Sequence, residues 1–158
     1  RMRTLGIDYG ERRIGIAISD PTSSLARPLT TISSDGTLVQ RVAVLAEKIS
    51  SLMLDGEELG AVVVGLPKAL DGRPHQQTAR VIVFVEELRR QVSWPVKTQD
   101  ERLTSIEAEQ RLAMTQPNWR KRKARLDAAS AAIILQDYLD EQRTPVQDAA
   151  FVGSADGC

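Results

Sequence analysis

Thr4-Leu5-Gly6-Ile7-Asp8-Tyr9-Gly10-Glu11-Arg12-Arg13-Ile14-Gly15-Ile16-Ala17-Ile18-Ser19-Asp20 is the stretch whose reading decides the fold. Two apolar runs flank Tyr9-Gly10, the pattern of a β-hairpin. In the second run Ile14, Ile16 and Ile18 face one way, and Gly15, Ala17 and Ser19 the other. One face of that strand is bulky, while the other allows close approach of a helix or a ligand. Arg27 to Ile32 reads as a third strand, so three antiparallel strands open the domain.

Working outward, Asp35-Gly36 marks a turn, after which Leu38, Val42, Leu45, Ile49 and Leu52 recur at helical spacing. Ala61 to Gly65 is a short, wholly apolar strand of the kind buried on both faces. Pro67 to Pro74 reads as a loop, and Val81, Val85, Leu88 and Val92 mark a second helix. Val96 to Thr98 is a strand ending at Asp100-Glu101. Thr104-Ser105-Ile106-Glu107 is a capping box that starts another helix, and Glu107 has that role alone. Residues 115 to 125 read as a polar loop, and Leu126 to about Glu141 as an alanine-rich buried helix. The order β-β-β-α-β-α-β-α-α predicts one α/β domain over residues 1–143 with a mixed sheet, three antiparallel strands then two parallel. Residues 144–158 are expected to form a loose tail.

Composition narrows the classes. The chain has 158 residues, with 21 Lys+Arg against 21 Asp+Glu, so any basic surface must be a local patch rather than a general coat. At 42% hydrophobic residues it is no disordered chain. No apolar run reaches the ~18 residues of a membrane span, and Arg1-Met2-Arg3 leads into a strand rather than a signal peptide. The single cysteine, Cys158, has no partner in the chain, which fits a reducing cytoplasm. One Cys and one His exclude a zinc site of the usual ligand set.

Three acidic residues stand where an open sheet places its site: Asp8 ends the first strand, Glu101 the last, and Asp127 begins the final helix. Taken singly, each has an ordinary reading. Asp8 suits a hairpin turn, Glu101 a solvated loop end, and Asp127 a helix N-terminus. Brought together, three such carboxylates would need a hard cation, Mg²⁺ or Mn²⁺. Two such ions clamp the attacking and leaving oxygens of a phosphodiester. Spacing alone does not show that the three converge.

Arg120-Lys121-Arg122-Lys123-Ala124-Arg125 places five bases in six residues, next to Trp119. This patch suits phosphates, with an aromatic ring available for stacking on a base; the plain alternative is a solvated loop. Lys68, Arg73, His75 and Arg80 gather around the loop before the second helix, where an anion could also be held.

These motifs resemble those of the YqgF/RuvX family. Gly6-Ile7-Asp8-Tyr9-Gly10 with Arg13-Ile14-Gly15-Ile16-Ala17-Ile18-Ser19-Asp20 is similar to its first block. Val64-Gly65-Leu66-Pro67 with Asp71-Gly72, then Asp100-Glu101-Arg102-Leu103-Thr104-Ser105 with Glu107-Ala108-Glu109, match the next two. Lys121, Lys123 and Leu126-Asp127-Ala128-Ala129-Ser130 through Leu139 match the last, so the resemblance spans residues 3 to 140. It implies an RNase H-like fold with strand one central and helices on both faces. It also implies a cytoplasmic nuclease in which Asp8, Glu101 and Asp127 bind divalent metal, Mg²⁺ or Mn²⁺, as two ions. The implied substrates are precursor 16S rRNA at its 5′ end, single-stranded DNA or junction DNA, for a monomer or weak homodimer. Two other classes stay open. One is a catalytically weak, RNA-binding ribosome assembly factor; the other is an actin-like ATPase, whose first phosphate loop Gly6-Ile7-Asp8-Tyr9-Gly10 also resembles.

Overall fold

A computed structural model describes residues 2–33, 35–53, 56–68, 76–102 and 119–156; the side chains at 68, 76, 102, 119–124 and 144–156 are not described. β1 (Met2–Tyr9) pairs antiparallel with β2 (Arg13–Ser19), and β2 with β3 (Ala26–Ser33). β4 (Glu58–Lys68) pairs parallel with β1, and β5 (Val96–Arg102) parallel with β4. The strand order is β3-β2-β1-β4-β5, so β1 is central. Three antiparallel strands followed by two parallel ones is the arrangement the hydrophobic pattern predicts.

The alternation in β1 and β2 divides the core in two. Leu5, Ile7, Ile14, Ile16 and Ile18 face α1 (Leu38–Leu52) and α2 (Gln76–Gln91), which contribute Val42, Leu45, Ile49, Phe84 and Leu88. Each such side chain contributes about 1.5–3 kcal/mol on burial. Helix α1 starts where Thr37 and Gln40 close a reciprocal capping box, just after Gly36 turns the chain at φ 105°. The opposite face is covered by α3 (Trp119–Asp156), whose Ala131, Ile134, Leu135 and Leu139 pack on Ala17 and Val63. Among the described residues no helix is long and apolar enough to cross a membrane.

Glycine makes that second packing possible. A Cβ at Gly15 would stand 2.1 Å from the Asp127 carbonyl oxygen, and one at Gly6 2.7 Å from that of Ala131. The helix backbone therefore lies directly on the sheet, as the small-residue face of β2 predicts.

Several boundaries differ from expectation. β4 runs beyond Gly65 to Lys68, and β5 ends at Arg102, one residue past the expected Asp100-Glu101; Pro67 pairs with Glu101 and Lys68 with Arg102, so Glu101 is held inside a ladder. Polar residues extended these strands because backbone pairing does not depend on side-chain character. The loop expected at 115–125 is corrected from Trp119 onward: the basic residues belong to the first turns of α3. Lys, Arg and Ala are strong helix formers, and charge was the wrong guide there. The same helix continues through 144–156, where a loose tail is expected. The helix expected from Thr104, together with Arg73, His75 and Cys158, lies outside the described residues.

Gly15→Ala is expected to destabilise the protein by about 1–3 kcal/mol, because the obstructing atoms are helix backbone. Gly60→Ala meets nothing nearer than 3.4 Å and is expected to be near neutral. Urea unfolding of both variants checks the contrast.

Candidate active site

Asp8, Glu101 and Asp127 come from three separate elements and all lie on the α3 face of the sheet. Asp8 is the penultimate residue of the central strand, opposite Gly15 of β2. Glu101 is buried near the end of β5, and its Oε2 lies where a Cβ at Gly65 would be only 2.8 Å away. The glycine in β4 thus makes room for the carboxylate. Asp127 is buried two turns into α3, with its own carbonyl against Gly15. Its carboxylate Oδ2 accepts a hydrogen bond of 3.2 Å from Nε of Arg13, the first residue of β2. Asp127 is therefore not the helix-initiating residue that the sequence predicts, and the ordinary N-terminal reading of its charge falls away.

Electrostatics couple Asp8 to the other two acids. Burial pushes the Asp8 carboxyl up to about 8, reinforced first by Glu101 and then by Asp127. Glu101 is pushed up to about 7 by burial, with Asp137 of α3 as the repelling neighbour.

An all-carboxylate donor set suits a hard divalent cation, whose charge would relieve this repulsion. Among the described residues, however, no three Asp, Glu, His or Cys side chains close around a single point. The donor chemistry fits a metal centre, while the side chains are spread more widely than one coordination shell.

The other predicted residues are placed less completely. Trp119, Arg120, Lys121, Arg122 and Lys123 lie on α3 one to two turns before Asp127, and Arg125 is exposed there. Lys68 ends β4. Arg80 of α2 forms an exposed ion pair with Glu11. Two residues next to the acids appear in the sequence reading only within longer motifs, with no role of their own. Arg13 opens the second run of the first motif, and Gly65 is an isolated glycine within an apolar strand.

The sheet order β3-β2-β1-β4-β5, with β1 to β3 antiparallel and β4 and β5 parallel to β1, is that of an RNase H-like fold. The structure of the fowlpox virus Holliday junction resolvase superposes with a TM-score of 0.51 at 14% identity, over 89% of this chain and 99% of that one. That likeness concerns the fold. The family model described as "RuvX: Holliday junction resolvase" matches residues 2–141, and the chain belongs to this nuclease family. A protein of Roseiflexus sp. (strain RS-1) named "Putative pre-16S rRNA nuclease" is 44% identical over 141 residues, 89% of this chain and 96% of its own. One of the same name from Desulforamulus reducens is 37% identical, over 88% and 97%.

Asp8→Asn tests the convergence through pH. A carboxyl whose native value stands above its ordinary 3.8 takes up a proton on folding. Its contribution is full below about pH 4 and is lost as pH rises to about 8. In chelator, Asp8→Asn should match wild type at pH 4 and exceed it by on the order of 1 kcal/mol or more at pH 8. Melting temperatures across that range give the answer; a variant that melts lower at pH 8 marks Asp8 as a turn residue.

Proposed function

We propose that this chain is a divalent-metal-dependent nuclease that hydrolyses phosphodiester bonds at the 5′ end of precursor 16S rRNA. This reading is supported by the placement of three acids from β1, β5 and α3 on one face of the sheet, with Glu101 and Asp127 buried. The substrate rests on the names of the relatives. The description of the family model supports four-way junction DNA as a second reading.

Bound divalent ions, Mg²⁺ or Mn²⁺, would lower the pKa of water and offset charge on the phosphodiester. Asp8, between the other two acids, would serve both ions, with Glu101 and Asp127 completing one each. The carboxyls must first lose protons, so ion binding strengthens as pH rises through about 7 and then about 8. Arg13 restrains the Asp127 carboxylate in the metal-free protein. Water attacks phosphorus, the P–O3′ bond breaks, and the products carry 5′-phosphate and 3′-hydroxyl ends. Trp119, Arg120, Lys121, Arg122, Lys123 and Arg125, on the first turns of α3, would hold the nucleic acid, with Lys68 and Arg73 as further phosphate contacts.

The test is a matrix of Mg²⁺ and Mn²⁺ against precursor rRNA, single strands and four-way junctions. Wild type should cleave RNA with either ion, and Asp8→Asn, Glu101→Gln and Asp127→Asn should fall to background. Cleavage of junctions alone would move the substrate to DNA, and binding without cleavage would make the chain an assembly factor. Changing the five bases at 120–123 and 125 to Gln should flatten the logarithmic salt dependence of single-strand binding by about 3.5, at ~0.7 per contact. An unchanged slope returns that segment to a solvated helix face.

A further inference from the structure

Helices α1 and α2 cover the face of the sheet opposite the carboxylates, yet one side chain of α1 binds the end of β1. Arg41, partly buried, donates from Nη1 to the Tyr9 hydroxyl and from Nη2 to the Gly10 carbonyl, each at 2.8 Å. Its Cζ stands 5.0 Å from the centre of the Tyr9 ring. That ring stacks in turn on Phe84 of α2, with centroids 4.1 Å apart and planes inclined by 15°. Tyr9 and Gly10 are the two residues that follow Asp8.

The strand end needs such a hold. The parallel ladder between β1 and β4 stops at Ile7 and Val64, whereas the antiparallel ladder with β2 continues through Asp8 and Tyr9. Beyond Ile7, β1 therefore has a paired neighbour on one side only. Gly10 closes the turn by donating its N–H to the Arg13 carbonyl at 2.9 Å, but this bond also ties β1 to β2 alone. Successive strand residues point to opposite faces, so any twist that moves Tyr9 on one face moves Asp8 on the other. A planar guanidinium that engages a hydroxyl, a carbonyl and a ring together resists that twist in a way a single-point cation does not.

We propose that Arg41 is a positioning residue for Asp8: it clamps Tyr9 and Gly10 from the far face of the sheet and so sets where the Asp8 carboxylate stands. The inference rests on the nuclease reading, in which Asp8 serves the metal ions. Reacting groups displaced by about 1 Å lose on the order of a hundredfold in rate, so a brace one residue away bears directly on turnover.

The experiment uses the full chain as wild type, Arg41→Ala, Arg41→Lys and Tyr9→Phe, each assayed well below its melting temperature. Two quantities are read: kcat and KM for cleavage in Mn²⁺, and, without substrate, the Mn²⁺ concentration giving half the maximal rise in melting temperature. Arg41→Ala should lose ~10- to 100-fold in kcat and shift the Mn²⁺ midpoint upward by about 10-fold. Its KM should stay within about twofold, because no substrate contact is removed. Arg41→Lys keeps the charge without the fork and should fall between. Tyr9→Phe loses one acceptor and keeps the ring, so its effect should be the smallest.

A lower melting temperature with wild-type kcat and Mn²⁺ midpoint would make Arg41 a structural brace only and overturn the proposal. If Arg41→Ala does not fold, the same two readouts on Arg41→Lys and Tyr9→Phe decide, and wild-type values in both overturn it. Absence of cleavage by wild type itself would remove the nuclease reading and this inference with it; wild-type cleavage beside unaffected variants removes the inference alone.

Discussion

The α3 helix lies close on the sheet because three strand positions carry no side chain, and at two of them its backbone rests directly on the strand. Gly15 lies under Asp127, Gly6 under Ala131 and Leu135, and Gly65 under Ile134. The helix residues involved fall at intervals of four, three and one, a single stripe along one side of the helix. A methyl group at Gly15 or Gly6 would lift the helix and shift Asp127 relative to Asp8, whereas one at Gly65 would displace the Ile134 side chain and the Glu101 carboxylate. Core packing and site assembly are thus one constraint. Gly65 joins the two most closely, since the space it leaves is shared by an isoleucine of the core and the Glu101 carboxylate.

That closeness has an electrostatic cost. Asp8 and Glu101 are held where burial and their acidic neighbours raise both well above ordinary carboxyl values. Arg13 offsets part of the charge at Asp127. Nothing in the packing requires carboxylates here; neutral side chains of the same shape would stabilise the metal-free fold. Repulsion tolerated at one point of a well-packed domain is what a cation-binding nuclease site requires. It is sustained by the apolar core on both faces of the sheet.

The two faces also divide the labour. The α3 face carries the acids, while α1 and α2 fix the strand that bears Asp8 through the Arg41, Tyr9 and Phe84 contacts. A site at the end of a central strand is flanked by neighbours that continue past it or stop short of it. Here β4 pairing stops at Ile7, and side chains from the opposite layer meet the chain just beyond that point.

Local pattern determined much of this. Period-two alternation in residues 4–20 named the hairpin, told the bulky face from the small one and foretold close approach at Gly15. Helical spacing placed α1 and α2, and Asp8 and Glu101 could be picked out by their positions near strand ends, whereas Asp127 reads as a helix start and stands two turns into α3. The resemblance of four ordered motifs to one family then grouped them as a site. Sequence could not place residues 8, 101 and 127 relative to one another, because their spacing in space depends on strand order and on the height of α3 above the sheet. Nor did it reveal that Glu101 sits within a ladder, since backbone hydrogen bonds to β4 hold Asp100 and Glu101 extended whatever their side chains prefer. The start of α3 was hidden for a related reason: Arg120 to Arg125 read as solvated loop by charge, although their backbone propensity is helical. Arg13 and Arg41 are ordinary arginines in sequence, and only the tertiary structure gives each a specific acceptor, because a guanidinium acquires a role from what lies within reach of its fork.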